Sequence, residues 1–128
     1  MKEKIDFFSF AWGKKGAIDP WSIVHILWGA VFAILFSVFG WSFKAALIVT
    51  VVSLIVWEVF EYAVDMLESM PNVIADIIVG IVGFWVSFTY LPQEGNIRFL
   101  ILAILVTLAI VLGYTGWRKW VNRQQNLG

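Results

Sequence analysis

Residues 20–43 read PWSIVHILWGAVFAILFSVFGWSF and contain no Asp, Glu, Lys or Arg. A helix needs about twenty predominantly apolar residues to cross the hydrocarbon core of a bilayer, which is roughly 30 Å thick. The stretch is long enough for this, and it predicts a first transmembrane helix over residues 20–41.

Three further apolar stretches follow, separated by short polar segments. They cover residues 43–66, 72–91 and 97–118. Transmembrane β-barrels need at least eight strands of about ten residues with alternating polarity, and this chain is too short and too uniformly apolar for them. We therefore predict an all-α polytopic integral membrane protein, with four transmembrane helices in an up-down bundle. The transmembrane domain is expected to cover residues 20–121.

The composition agrees with a membrane protein and excludes several soluble classes. The chain of 128 residues is 61% hydrophobic and 14% charged, against roughly 45–50% and 25% in soluble domains. The formal net charge is zero, which argues against nucleic acid as a partner because its recognition needs clustered basic residues. Cysteine is absent, which excludes disulfides and thiolate metal sites. Membrane lipids are the expected partners.

The two ends of the chain carry most of its basic residues. Residues 1–19 mix aromatic side chains with lysine and predict an interfacial, partly helical N-terminal segment. Residues 122–128 are expected to form a cytoplasmic tail. Seven Lys and Arg lie in residues 1–19 and 118–128, whereas only Lys44 and Arg98 flank the opposite side. The positive-inside rule therefore predicts a multi-pass protein of the cell membrane with both termini in the cytoplasm.

Ionisable side chains concentrate at one end of the predicted bundle. His25 lies near the start of the first span, Glu58 and Glu61 near the end of the second, and Asp76 near the start of the third. In an up-down bundle these three ends lie on the same side of the membrane. Ionisable groups inside apolar spans are costly, and they usually mark a function. These four residues are the candidates for catalysis or for metal binding.

The end of the second span adds one supporting residue. Glu58, Glu61 and Asp65 have the spacing i, i+3, i+7, which places them on one helical face. Asp65 is therefore a supporting candidate. Its position near the following loop also favours a solvated carboxylate, and the same holds for Glu68.

Helical phase also supplies supporting residues at the start of the third span. Asn72, Asp76, Gly80 and Gly83 share one face, and the two glycines are expected to let a neighbouring helix approach closely. Asp19 precedes Pro20 at the start of the first span, where an aspartate typically caps a helix. Asn72, Gly80, Gly83 and Asp19 are thus expected to support the site.

The four candidates fit no established catalytic motif. The chain lacks a Walker loop, a dinucleotide fingerprint, His-Glu-x-x-His and Glu-x-x-His. One histidine with several carboxylates is compatible with a hard divalent cation, or with zinc or manganese. The pocket is expected to bind a lipid head group, a small molecule, a cation or a proton, and enzymatic activity stays open. The alternative is a non-catalytic bundle that acts through partner or envelope contacts.

The candidates also belong to a longer pattern that resembles known membrane proteins. The pattern is Asp19-x5-His25-x3-Gly29, then Trp57-Glu58-x-x-Glu61, then Asn72-x3-Asp76-x3-Gly80-x-x-Gly83. It resembles the VanZ-like and YjdF-type families of small bacterial integral membrane proteins over roughly residues 19–85. One branch is associated with glycopeptide-antibiotic resistance, and most members have no assigned activity. The resemblance implies a bacterial inner-membrane location and a polar site at these residues, more than a reaction.

Overall fold

Four long helices dominate the computed structural model, which describes residues 6–8, 16–66, 68–92 and 94–128. They are α1 (Pro20–Val38), α2 (Phe43–Ala63), α3 (Met70–Tyr90) and α4 (Ile97–Leu127). All four are long and apolar enough to span a membrane. The predicted all-α, four-helix fold class is confirmed, and the chain is a multi-pass membrane protein.

Hydroxyl and carboxylate side chains fix where the first three helices begin. Asp19 accepts hydrogen bonds from the N–H groups of Trp21 and Ser22, at 2.9 and 3.2 Å. The Ser22 hydroxyl in turn accepts from the Asp19 N–H at 3.1 Å, which completes a capping box. Ser42 and Ser69 cap α2 and α3 in the same way, each with its side-chain oxygen. The cap predicted at Asp19 is confirmed.

The helix ends differ from the predicted spans in three places. The first helix ends at Val38 and not at residue 41, because Gly40 adopts a left-handed φ of 72°. The second ends at Ala63 and not at residue 66, because Asp65 has a φ of 61°. The fourth continues through Leu127, so the predicted tail is mostly helical. Its arginine and glutamine side chains are good helix formers.

The N-terminal segment is not helical where the structure describes it. Two short strands, β1 (Asp6–Phe8) and β2 (Gly16–Ile18), pair in parallel. The Asn72 side-chain amide donates to the carbonyl oxygens of Gly16 and Ala17, both at 3.1 Å. The extended backbone of β2 thus gives Asn72 its partners, and these two described stretches are strands where a partly helical segment was predicted. Residues 1–5 and 9–15 lie outside the described part of the chain.

Helices α1 and α3 run parallel as a central pair, with α4 packed mainly on α1 and α2 mainly on α3. A Cβ added to Gly29 would lie 2.0 Å from the carbonyl oxygen of Gly80, and one added to Gly83 would lie 2.4 Å from that of Ile26. Side chains at these positions would collide with backbone, so glycine lets the two helices touch. A Cβ at Gly80 would meet the Leu54 side chain at 2.7 Å. The predicted packing role of Gly80 and Gly83 is confirmed.

Alanine substitutions at the glycines are expected to differ in cost. Gly29→Ala should lower the free energy of unfolding by about 3 kcal/mol, the upper end for overpacking, because the obstacle is backbone. Gly80→Ala should cost about 1 kcal/mol, since the Leu54 side chain is able to rotate away. Gly113→Ala is the control, because a Cβ there would lie 3.8 Å from Val24. Unfolding in mixed micelles measures all three, and equal losses would contradict the backbone contact.

Candidate functional site

The His25 side chain lies between α2 and α3, where the ends of three helices meet. Its Nε2 atom is 2.9 Å from Glu58 Oε1, and its Nδ1 atom is 3.6 Å from Asp76 Oδ2. All three side chains are buried, and Asp76 is completely inaccessible. The prediction that His25, Glu58, Glu61 and Asp76 lie in one polar cluster is confirmed, since Glu61 joins the other three through Glu58.

Glu58 joins this group to two further carboxylates. One ligand atom from each of His25, Glu58 and Asp76 lies within 4.8 Å of the others, and the same holds for Glu58, Glu61 and Glu68. We refer to these five residues as the His–acid cluster. Glu58 is common to both halves, and α4 supplies none of the five.

The orientation of the imidazole follows from its backbone contact. His25 Nδ1 lies 2.8 Å from the carbonyl oxygen of Trp21, and a carbonyl oxygen only accepts hydrogen bonds. Nδ1 therefore carries the hydrogen, and Nε2 is the atom that faces Glu58. Histidines that bind metals commonly donate their other N–H to a backbone carbonyl or a carboxylate in this way.

The N-terminal cap of α1 positions Asp76. The Ser22 hydroxyl donates to Asp76 Oδ1 while it accepts the Asp19 N–H. Burial raises the pKa of Asp19 above its ordinary value, although the backbone hydrogen bonds of the cap oppose this. Asp76 Oδ2 has no hydrogen-bond partner within the described part of the chain. Asp19 thus supports the site through Ser22, and one oxygen of Asp76 is left facing His25.

The two carboxylate oxygens of Glu61 also differ in their hydrogen bonding. Oε1 accepts a hydrogen bond from the Trp57 indole N–H at 2.8 Å. Oε2 lacks a partner among the residues described, although the Glu61 side chain is 1% exposed. Trp57 belongs to the motif Trp57-Glu58-x-x-Glu61 but is not among the predicted site residues, although its i, i+4 spacing to Glu61 places the two on one helical face.

Asp65 and Glu68 differ in their surroundings, because Asp65 lies outside the cluster and Glu68 belongs to it. Asp65 is exposed and lies outside the cluster, because α2 ends before it and the helical phase no longer applies. Glu68 was expected to be solvated, but it is only partly exposed, and burial raises its pKa to about 9. The left-handed turn at Asp65 reverses the chain, with the Met66 N–H bonded to the Glu61 carbonyl at 2.9 Å. This turn brings Glu68 back to the cluster.

The cluster contains four acids and a single basic residue. Within residues 16–66, 68–92 and 94–128, His25 is the one basic side chain at ion-pair distance from Glu58 or Asp76. Buried charges without compensation are very costly, and they are normally paired, protonated or bound to a metal. The arrangement is therefore suited to take up protons or a cation.

No protein-family model, curated protein or solved structure matches this chain. The resemblance to the VanZ-like and YjdF-type families stays a prediction from the residue pattern.

Proposed function

We propose that this chain binds a divalent cation within the membrane at the His–acid cluster. The observation that carries the proposal is the pair of oxygens Asp76 Oδ2 and Glu61 Oε2. Both belong to fully buried carboxylates, and neither has a hydrogen-bond partner among the described residues. A cation held by His25, Glu58 and Asp76 would satisfy Asp76 Oδ2, and one held by Glu58, Glu61 and Glu68 would satisfy Glu61 Oε2. Either ion would offset the excess of negative charge.

The donor set favours a borderline metal ion. His25 Nε2 offers an imidazole nitrogen, and Glu58 and Asp76 add carboxylate oxygens. Mixed nitrogen and oxygen ligands suit Zn²⁺ or Mn²⁺, whereas Mg²⁺ and Ca²⁺ prefer oxygen alone. The Trp21 carbonyl and the Ser22 hydroxyl would hold the ligands in place, as outer-shell groups do in metal sites.

We place the site on the cytoplasmic side of a bacterial cell membrane and the chain among the VanZ-like and YjdF-type proteins. Support for the side comes from the excess of Lys and Arg in the two ends of the chain. Support for the family comes from the pattern between Asp19 and Gly83. Proton uptake by the same carboxylates is the state that would compete with the cation.

The alternative is a structural role in a bundle without a bound ligand. It is favoured by the contacts through which Ser22 and His25 of α1 join Asp76 of α3 and Glu58 of α2. In that role, polar contacts between transmembrane helices would stabilise assembly. The two roles differ in what a substitution in the cluster removes.

Mn²⁺ titration of the purified, chelator-treated protein tests the proposal, with bound Mn²⁺ followed by electron paramagnetic resonance. We expect saturable binding to the wild type. Glu58→Gln should weaken binding by at least about tenfold, since losing even an outer-shell group of a metal site costs 10- to 100-fold. Asp65→Asn is the matched control, because this carboxylate is exposed and outside the cluster, and it should leave the affinity unchanged.

Two results would contradict cation binding. One is the absence of saturable binding, and the other is an equal loss of affinity in Glu58→Gln and Asp65→Asn. The structural role predicts instead that Glu58→Gln lowers the melting temperature of the metal-free protein. It also predicts that Mn²⁺ leaves the melting temperatures of the wild type and of the variant unchanged. A bound ion raises the stability of the folded state by about 2.7 kcal/mol at 100 times its Kd.

A further inference from the structure

A groove runs along the outside of α1, between α2 and α4. It exists because α4 packs mainly on α1 and α2 mainly on α3. The flanking helices α2 and α4 meet near one end of the groove, where the Phe60 and Trp117 rings lie 6.5 Å apart. On α4, the lining includes the small residues Ala109 and Gly113, one turn apart, beside the larger Tyr114. Its volume is about 490 Å³, within the range of about 300–1,000 Å³ of small-molecule sites.

The two ends of the groove differ in what lies next to them. His25 and Trp57 line it, and the Trp57 indole N–H is the group bonded to Glu61, so this end adjoins the His–acid cluster. Phe32 of α1 and Ala109 of α4 lie at the opposite end. The groove is therefore apolar over nearly all of its lining, and the His–acid cluster lies behind one of its ends.

Its length corresponds to one leaflet of a bilayer. On α1 the lining extends from Trp21 to Phe32, which is about 16 Å at 1.5 Å per residue. Half of a hydrocarbon core of about 30 Å is about 15 Å. Ser53 and Ala109, near the midpoints of their spans, also line it. The groove thus extends from the site to the middle of the membrane.

We propose that the groove binds one hydrocarbon chain of a lipid from the leaflet next to the His–acid cluster, with the polar end of that lipid at His25. At this depth the surroundings are hydrocarbon, so an apolar groove fills with lipid in preference to water. A lipid whose hydrocarbon chain spans one leaflet matches both the apolar lining and the length of the groove, and its polar group would then lie next to the His–acid cluster. This inference goes beyond cation binding and does not depend on it.

Photocrosslinking of the full chain in vesicles tests the inference. The vesicles consist of phosphatidylcholine with a small fraction of a phosphatidylcholine that carries a diazirine halfway along one acyl chain. Mass spectrometry maps the modified residues after irradiation, with the protein treated with chelator. We expect the label to concentrate on the groove residues of α1, α2 and α4, above the level on outward-facing residues such as Val56 and Val59, which are 60% and 61% exposed.

Two variants fill the groove from opposite walls. Gly113→Phe introduces a ring from α4, where a Cβ would meet only Val24, at 3.8 Å, and Ser53→Leu introduces a branched aliphatic side chain from α2. Each should lower labelling of the groove by roughly tenfold, the factor expected when about two methylene groups lose their burial. Val111→Phe is the control on α4, because Val111 is 55% exposed and does not line the groove.

The melting temperature of each variant establishes that it is folded. Labelling that is uniform over all exposed faces of the wild type would overturn the inference, as would groove labelling that survives both substitutions. A groove that is unlabelled because a second copy of the chain covers it would overturn it as well, and chemical crosslinking in the same vesicles detects that dimer. None of these outcomes bears on Mn²⁺ binding, which is measured separately.

Discussion

Replacing His25 with glutamine is expected to lower the affinity for Zn²⁺ by at least about 100-fold and the affinity for Mg²⁺ by less than about threefold. His25 is the only histidine in the chain and the only nitrogen ligand in the cluster. Imidazole favours Zn²⁺ strongly over Mg²⁺, whereas the carboxylates that remain are ligands both ions accept. The substitution should therefore remove selectivity more than binding.

Displacement of Mn²⁺ by each ion measures both affinities in one assay. Glutamine loses the hydrogen bond to the Trp21 carbonyl, a cost of about 1 kcal/mol, so the variant should fold. Asp65→Asn serves again as the control, and it should keep the wild-type selectivity. Equal losses for Zn²⁺ and Mg²⁺ would mean that His25 holds the carboxylates in place without being a ligand itself.

The transmembrane fold was predictable because one physical requirement dominates it. A bilayer demands about twenty apolar residues per helix, and residues 20–43 meet that demand without a charge. The spacing of Gly80 and Gly83 then predicted a face of α3 that a neighbouring helix approaches, and at Gly83 that helix is α1. Helix ends were less predictable, because they depend on local backbone conformations such as the positive φ values of Gly40 and Asp65.

The centre of the candidate site followed from helix direction and phase. His25, Glu58 and Asp76 meet because antiparallel neighbours bring alternate helix ends to one side. Glu68 escaped prediction because helical phase does not extend past the turn at Asp65, and only the folded loop shows that the chain returns. The strand β2 escaped for a related reason. Its contacts are with Asn72, more than fifty residues away, and no local pattern records them.

The metal-free protein is expected to lose stability as the pH rises from 5 to 9 because of Glu68. Burial is the main reason that the pKa of Glu68 is raised from 4.5 to about 9, and the carboxylates of Glu61, Asp76, Glu58 and Asp19 add to it. Between these two values the folded chain holds a proton that the unfolded chain releases. Raising the pH therefore favours unfolding, and the stabilisation present near pH 4.5 is lost progressively up to pH 9.

Glu68→Gln separates this effect from every other titration in the protein, because glutamine resembles the protonated acid and does not ionise. Glu68 is only partly buried, so solvent screening reduces the effect, and we expect the wild type to lose on the order of 2 kcal/mol more than the variant. Free energies of unfolding at pH 5, 7 and 9 in the presence of chelator give the comparison. The exposed Glu94 supplies the control Glu94→Gln, which should keep the wild-type slope. If Glu68→Gln keeps that slope as well, Glu68 is ionised in the folded protein at neutral pH, and its negative charge must be compensated within the cluster.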